Sequence, residues 1–210
     1  MIVHDYLGLD IPQVWPIVER DVSPSKQTIE AALRDTGNRI QWPSVTIFYE
    51  DVLRALDTAA IRFVLVGGVA VILHGVPRTT ADLDLVIDLE EGNVCRFVGV
   101  MAQLGFVPRA PVAAADLASA DQRRAWVADK HMMAFTFHRP GRPLEEVDIL
   151  IDPPLPFAEL AAGAVLLEAE GLRLPIVGIR HLIRMKEHAG RAQDVADVDA
   201  LRRLLEASGE

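Results

Sequence analysis

A single cysteine, Cys95, in 210 residues leaves no intramolecular disulfide, which excludes a stapled extracellular scaffold. Its setting between Val94 and Phe97 reads as a packing residue on the apolar face of a helix. No apolar run is long enough to span a bilayer. The longest, residues 63–76, is interrupted by Gly67, Gly68 and His74. The first residues lack the basic start and unbroken apolar stretch of an export signal, so a cytoplasmic protein with no membrane partner is expected. Positive charge is short as well: 21 Lys and Arg stand against 30 Asp and Glu, for a net −9. Any nucleic acid would therefore be met by a local patch and not by the overall field. There is no internal repeat and no low-complexity tract. A hydrophobic share of 50% excludes a disordered tail and suffices for a core with one active site.

Proline placement divides the chain into three expected parts. Residues 1–45, with Pro12, Pro16, Pro24 and Pro43, read as an N-terminal extension packed on the core. Residues 46–152 read as the core, and residues 153–210, after Pro153-Pro154-Leu155-Pro156, as a C-terminal helical subdomain. Within the core, Ser44 is placed as the N-cap of a helix over 44–59, whose Phe48, Val52 and Leu56 share a face. A buried strand over 62–66 runs into Gly67-Gly68, and a short helix over 69–74 stops at Gly75-Val76-Pro77. A strand over 82–89, an amphipathic helix over 91–104 and an alanine-rich helical stretch over 110–130 follow. Strands over 132–138 and 144–151 are joined at Pro140-Gly141-Arg142-Pro143. Beyond the proline linker, helices are expected over 157–166, 179–188 and 194–206. The expected class is α/β (α+β), a small mixed sheet flanked by helices with a C-terminal helical segment.

The chemistry concentrates where a strand, Gly67-Gly68, a short helix and a second strand succeed one another. Strand alternation sends Asp82 and Asp84 to one face and Leu83 and Leu85 to the other. Like charges this close repel, and divalent cations between them resolve the repulsion. Mg²⁺, or Mn²⁺ in its place, suits a few carboxylates completed by phosphate oxygens and water. Gly67 and Gly68 allow close approach of phosphate to the backbone. A third acid is offered by 144–151, where Glu146 and Asp148 share a face; Asp148 is preferred because it lies within the apolar run. Glu146 and a surface ion pair remain competitors.

The pattern from Gly67-Gly68, through His74-Gly75-Val76-Pro77-Arg78-Thr79-Thr80, to Asp82-Leu83-Asp84-Leu85 resembles the signature of the DNA polymerase β-like nucleotidyltransferase superfamily, with thirteen residues between Gly68 and Asp82. Within it the likeness is greatest to the abortive-infection, toxin-type nucleotidyltransferases. That subgroup also carries a late lysine followed by an acid, as Lys186 and Asp194 do here. The resemblance covers about residues 60–200. It implies that Gly67 and Gly68 hold a nucleoside triphosphate, that Asp82, Asp84 and Asp148 bind metal, and that Lys186 contacts the phosphates. Asp194 would orient Lys186, or the base and acceptor. Arg78 and Thr80 would lie at the mouth of the phosphate site. The implied reaction transfers a nucleoside monophosphate to an acceptor hydroxyl on tRNA, a protein or a small molecule such as an antibiotic. A cognate antitoxin is an implied partner of a toxin, and a catalytically silent binding or antitoxin module is the rival. Gly68 stands where many members have serine, which removes one phosphate contact and counts against the antibiotic-modifying branch.

Several residues also carry plainer readings. His74 fits a capping or core role as well as a substrate contact. Lys186 fits a solvated basic face, and Asp194 or Asp197 an N-cap. Arg123, Arg124, Arg139 and Arg142 could form an acceptor patch, or be scattered surface arginines.

Overall fold

The alternating stretches of the sequence assemble into one seven-stranded mixed sheet in the computed structural model, which describes residues 49–169 and 171–208. The expected extension over 1–45 and the Ser44 cap lie outside those residues. Helix α1 (Glu50–Thr58) buries Val52, Leu53 and Leu56. Strand β1 (Phe63–Leu65) leads into α2 (Gly67–Leu73), which takes in both glycines and not only the residues after them. Strand β2 (Leu83–Ile87) lies antiparallel to β1. Helix α3 (Glu91–Gln103) follows, its start capped by the Glu90 carboxylate, which accepts from Gly92 N and Asn93 N.

Strand β3 (Val107–Pro108), a 3₁₀ turn over Ala114–Ala118 and α4 (Ala120–Lys130) account for the alanine-rich stretch. Strands β4 (Ala134–Arg139) and β5 (Arg142–Leu150) form the expected hairpin, turning at Pro140-Gly141, where Gly141 has φ 81°. Helix α5 (Phe157–Ala162) stops short of Leu166, because the chain there enters β6 (Val165–Ala169) and β7 (Leu172–Ile176). Helices α6 (Ile179–Ala189) and α7 (Ala192–Ser208) complete the chain. Residues 153–210 therefore supply the anticipated helices and, in addition, an unanticipated hairpin.

The sheet order is β3-β4-β5-β2-β1-β7-β6. Two neighbours are parallel, β2 with β5 and β1 with β7, and the rest are antiparallel. The parallel pairs lie toward the centre, and on the face that meets the core Leu65, Leu83, Leu85, Val147 and Ile149 are all fully buried. Phe97 meets Phe137 edge to face at 5.7 Å, and Trp126 lies 5.3 Å from Phe135. Such pairs add about 0.5–1.5 kcal/mol each beyond the area they bury. Asn93 is buried yet satisfied: its side chain accepts from Arg62 N and donates to Arg62 O and Asp88 O, tying the start of β1 to the end of β2.

Cys95 is exposed, contrary to its reading as a packing residue. Val94, Phe97, Val100 and Met101 define the buried stripe of α3, and Cys95 lies one step round the helix from it. No helix among the described residues is long and apolar enough to cross a membrane.

Candidate active site

Parallel pairing of β2 with β5 places Asp84 directly beside Asp148, in a register that also matches Leu83 with Val147 and Leu85 with Ile149. Residues opposite one another share a face, so the leucine, valine and isoleucine enter the core while the two aspartates emerge together. Asp82 immediately precedes β2, and its charge acts on both. Burial, then the negative charge of Asp148, pushes the Asp84 carboxyl up to about 6 despite a hydrogen bond from Gly68 N at 3.3 Å. Asp148 is raised as well, chiefly by burial and then, after partial relief from the Thr136 hydroxyl across the hairpin, by Asp82. Its Oδ1 is buried with no hydrogen-bond partner. Glu146, the rival third acid, is ion-paired with Arg109. Asp148 is thus the acid with spare coordinating capacity.

The Gly-Gly turn is shaped by what presses on it. Gly67 has φ 62°, and a Cβ there would run into the Asp84 carboxylate. A Cβ on Gly68 would lie 2.5 Å from Thr80 Oγ1 and 3.1 Å from Arg78 Cζ. Both glycines therefore admit the carboxylate, hydroxyl and guanidinium groups against the backbone, which no side chain would tolerate. Gly67, Gly68, Arg78, Thr80 and Asp84 are one cluster.

Lys186 and Asp194 join this cluster from the C-terminal helices. Lys186, on α6, is buried and not on a solvated face. Its Nζ lies 2.8 Å from Asp194 Oδ1 and 2.9 Å from Asp197 Oδ2, both on α7. Arg78 Nη1 reaches the same Asp197 oxygen at 2.5 Å, and Gln193 Nε2 donates to the other at 3.1 Å. Asp194 also takes Arg191 Nε at 2.7 Å and Arg191 N at 3.3 Å, so it does serve the helix start. Burial works against its charge, but the hydrogen bonds from Arg191 and Lys186 outweigh burial and hold its carboxyl below the ordinary range. Lys186 in turn lowers Asp84, which places the network beside the acids. Removing one member of such a buried pairing leaves an uncompensated charge and costs about 3–5 kcal/mol.

Other expected participants are used structurally. His74 ends α2, and its Nε2 lies 2.7 Å from Val177 O. Arg123 donates to Leu117 O and Ala118 O, and Arg124 pairs with Asp121. Arg139 pairs with Asp51 and Glu145 and lies over the Phe106 ring, while Arg142 pairs with Glu145. Arg139 and Arg142 thus meet at Glu145, whereas Arg123 and Arg124 are bonded within their own helical segment.

Sequence reasoning missed Asp197 as an ionic partner, Arg191, Thr136 and Tyr49. The Tyr49 hydroxyl lies 2.7 Å from Ala81 O and 3.1 Å from Leu144 O, and accepts from Glu146 N at 2.7 Å. Nothing local in the sequence signals contacts of that range. One strand out from Asp148, a cavity of about 250 Å³ is lined by Arg109, Ala110, Met132, Ala134, Phe135 and Thr136.

Among the described residues, no three His, Cys, Asp or Glu groups form a ready-made metal cage. The donor set fits a hard cation of the Mg²⁺ kind, which takes one or two carboxylates and completes its shell with phosphate and water. The orphaned Asp148 Oδ1 beside Asp84 supplies such an incomplete shell.

No protein-family model matches the chain, and no curated protein matches it. Among solved structures, the lincosamide antibiotic adenylyltransferase LnuA, lincomycin-bound, is similar with a TM-score of 0.50 at 12% identity, over 73% of this chain and 94% of that one. ANT(2")-Ia in complex with adenylyl-2"-tobramycin gives 0.48 at 16% identity, over 75% and 87%. An antigenic nucleotidyltransferase-like protein from Paracoccidioides brasiliensis gives 0.48 at 19%, over 76% and 75%. The likeness to LnuA gives the fold, that of a nucleotidyltransferase.

Proposed function

We propose that this chain is a metal-dependent nucleotidyltransferase that moves a nucleoside monophosphate from a nucleoside triphosphate to an acceptor hydroxyl, releasing pyrophosphate. The observation that carries the proposal is the pairing of Asp84 with Asp148 beside the Gly67-Gly68 turn, with Asp148 Oδ1 left without a donor. A divalent cation held by Asp82, Asp84 and Asp148 would neutralise the acids, draw in triphosphate oxygens and lower the proton affinity of the acceptor hydroxyl. The turn keeps Thr80 and Arg78 close to the backbone, where phosphate oxygens would find a hydroxyl and a cation together. Lys186 holds Asp194 and Asp197 and adds positive charge beside Asp84. The acceptor oxygen would attack the α-phosphorus as the bond to the pyrophosphate oxygen breaks, and the hydroxyl proton would pass to the unpartnered Oδ1 of the Asp148 carboxylate and from there to water.

The acceptor is assigned to the cavity beyond Thr136, whose size admits a small molecule or the tip of a larger one, such as a tRNA end or a protein side chain. The toxin-type reading draws on the late Lys186 and Asp194, which lie 2.8 Å apart. The decisive experiment supplies Mg²⁺ and each α-labelled nucleoside triphosphate, with total RNA, extract proteins or an antibiotic panel as acceptor. Label transfer that is lost on chelation and in Asp82→Ala and Asp148→Ala supports the proposal. No transfer to any acceptor, with both variants binding Mg²⁺ and nucleotide as the wild type does, leaves a silent nucleotidyltransferase-fold module.

A further inference from the structure

The β2–β5 pairing that carries the acids stops abruptly on the side where Asp82 emerges. Its register runs through Leu83 with Val147 and Asp84 with Asp148. Continued backwards, it would set Asp82 opposite Glu146 and Ala81 opposite Glu145. In a parallel ladder the carbonyl of one residue accepts from the N–H one place beyond its partner, so Ala81 O would accept from Glu146 N. Both groups are held by the Tyr49 hydroxyl, which accepts from Glu146 N at 2.7 Å and lies 2.7 Å from Ala81 O, with Leu144 O a further acceptor at 3.1 Å. One phenolic oxygen thus stands where a backbone bond would close.

We propose that Tyr49 is a positioning residue whose hydroxyl wedges β2 from β5 one bond short of the acids, setting the spacing of Asp82, Asp84 and Asp148 for a divalent cation. This rests on the nucleotidyltransferase reading for its purpose, though not for its geometry. Like charge does not by itself hold the ladder open, since Asp84 already stands directly across from Asp148 in its closed part, as Asp82 would from Glu146. Two observations support the wedge. Arg109 draws the Glu146 carboxylate into an ion pair. The phenol is buried and feels the charges of Asp82, Glu145 and Asp148; burial first, and those charges after it, push its ionisation well above the ordinary tyrosine range, so it remains a donor at working pH.

The test uses Tyr49→Phe in the full chain, which keeps the ring and removes the wedge. Three readouts are needed: Mn²⁺ binding by electron paramagnetic resonance, NMR coupling through a hydrogen bond from Glu146 N to the Ala81 carbonyl carbon, and thermal unfolding as a fold control. The expected result is a folded variant in which that coupling appears, having been absent from the wild type, and in which the Mn²⁺ dissociation constant rises about tenfold. Wild-type Mn²⁺ affinity in Tyr49→Phe, or no coupling in it, overturns the proposal. So does a direct Glu146–Ala81 coupling in the wild-type protein, a measurement that needs no variant to fold. 3-Fluorotyrosine at position 49 retains the hydroxyl and must bind Mn²⁺ as the wild type does. If the wild type itself binds no Mn²⁺, the transferase reading fails, and the wedge is judged on the coupling alone.

Discussion

Replacing Asp84 with asparagine should stabilise the protein at neutral pH while abolishing the nucleotidyl transfer proposed for it. The carboxyl is held at about 6 against an ordinary 3.8, because burial and the neighbouring Asp148 both disfavour its charge. At ~1.4 kcal/mol per pH unit, that gap corresponds to about 3 kcal/mol. The folded state grips the proton more tightly than the unfolded chain does, so between pH 3.8 and about 6 it carries more protons and loses stability as pH rises. Below that window the wild type and Asp84→Asn should be nearly equal. Above it the variant should gain the full difference, roughly 6–12 °C in melting temperature for a chain of this size. Loss of the Gly68 N–H and Lys186 interactions with a charged oxygen trims the gain. Urea titrations of both proteins at pH 4 and pH 8, without metal, read the effect directly. An advantage that fails to grow between the two pH values, or a variant less stable at pH 8, refutes the electrostatic reading of the paired acids. Mg²⁺ with nucleotide should close the gap by stabilising the wild type alone.

Gly67→Ala forces a side chain into φ 62° and onto Asp84, and should cost at least ~1–3 kcal/mol in melts as well as nucleotide binding by calorimetry. Lys186→Met leaves Asp194 and Asp197 buried with one cation fewer; a loss of about 3–5 kcal/mol by urea unfolding is expected, and a wild-type melt would show the lysine to be expendable to the fold. Asp148→Asn should lower kcat of the proposed transfer reaction by at least ~100-fold while the melting temperature holds or rises, because burial raises the native carboxyl. Cys95 should react with a thiol reagent under native conditions, and protection until unfolding would contradict its exposed position.

Much of the scaffold was legible because its signals are local. The run into Gly67-Gly68, the stripe of Val94, Phe97, Val100 and Met101, and the alternation of Val147 and Ile149 each announce an element within a few residues. The β6–β7 hairpin carried a signal too: Leu172, Leu174 and Ile176 alternate inward, and Gly171 turns at φ 79°. Pro175 and the surrounding helices masked it, since proline argues against an interior strand. Alternation put Asp82 and Asp84 on one face of their strand and Glu146 and Asp148 on one face of theirs, but which strands are neighbours, and hence that Asp84 stands beside Asp148, came only with the sheet order. What could not be read is the partnership between Arg78 and Asp197, separated by 119 positions, or the reach of Tyr49 to Glu146. Charge complementarity along a sequence names many pairs, and only tertiary packing selects one.

Strand β1 has β2 on one side and β7 on the other, and β7 is joined to it through Leu65 and Ile176. During synthesis, the glycine turn, Asp84 and Asp148 all emerge before the chain that completes the sheet around β1. Until Ile176 leaves the ribosome, β1 is an exposed edge, and exposed strand edges recruit other chains. Closure therefore depends on a late, long-range pairing, a slow class of event. Nascent chains halted between the β5 and β7 coding regions should be sensitive to proteolysis and dependent on chaperones, and those that pass Ile176 should become resistant.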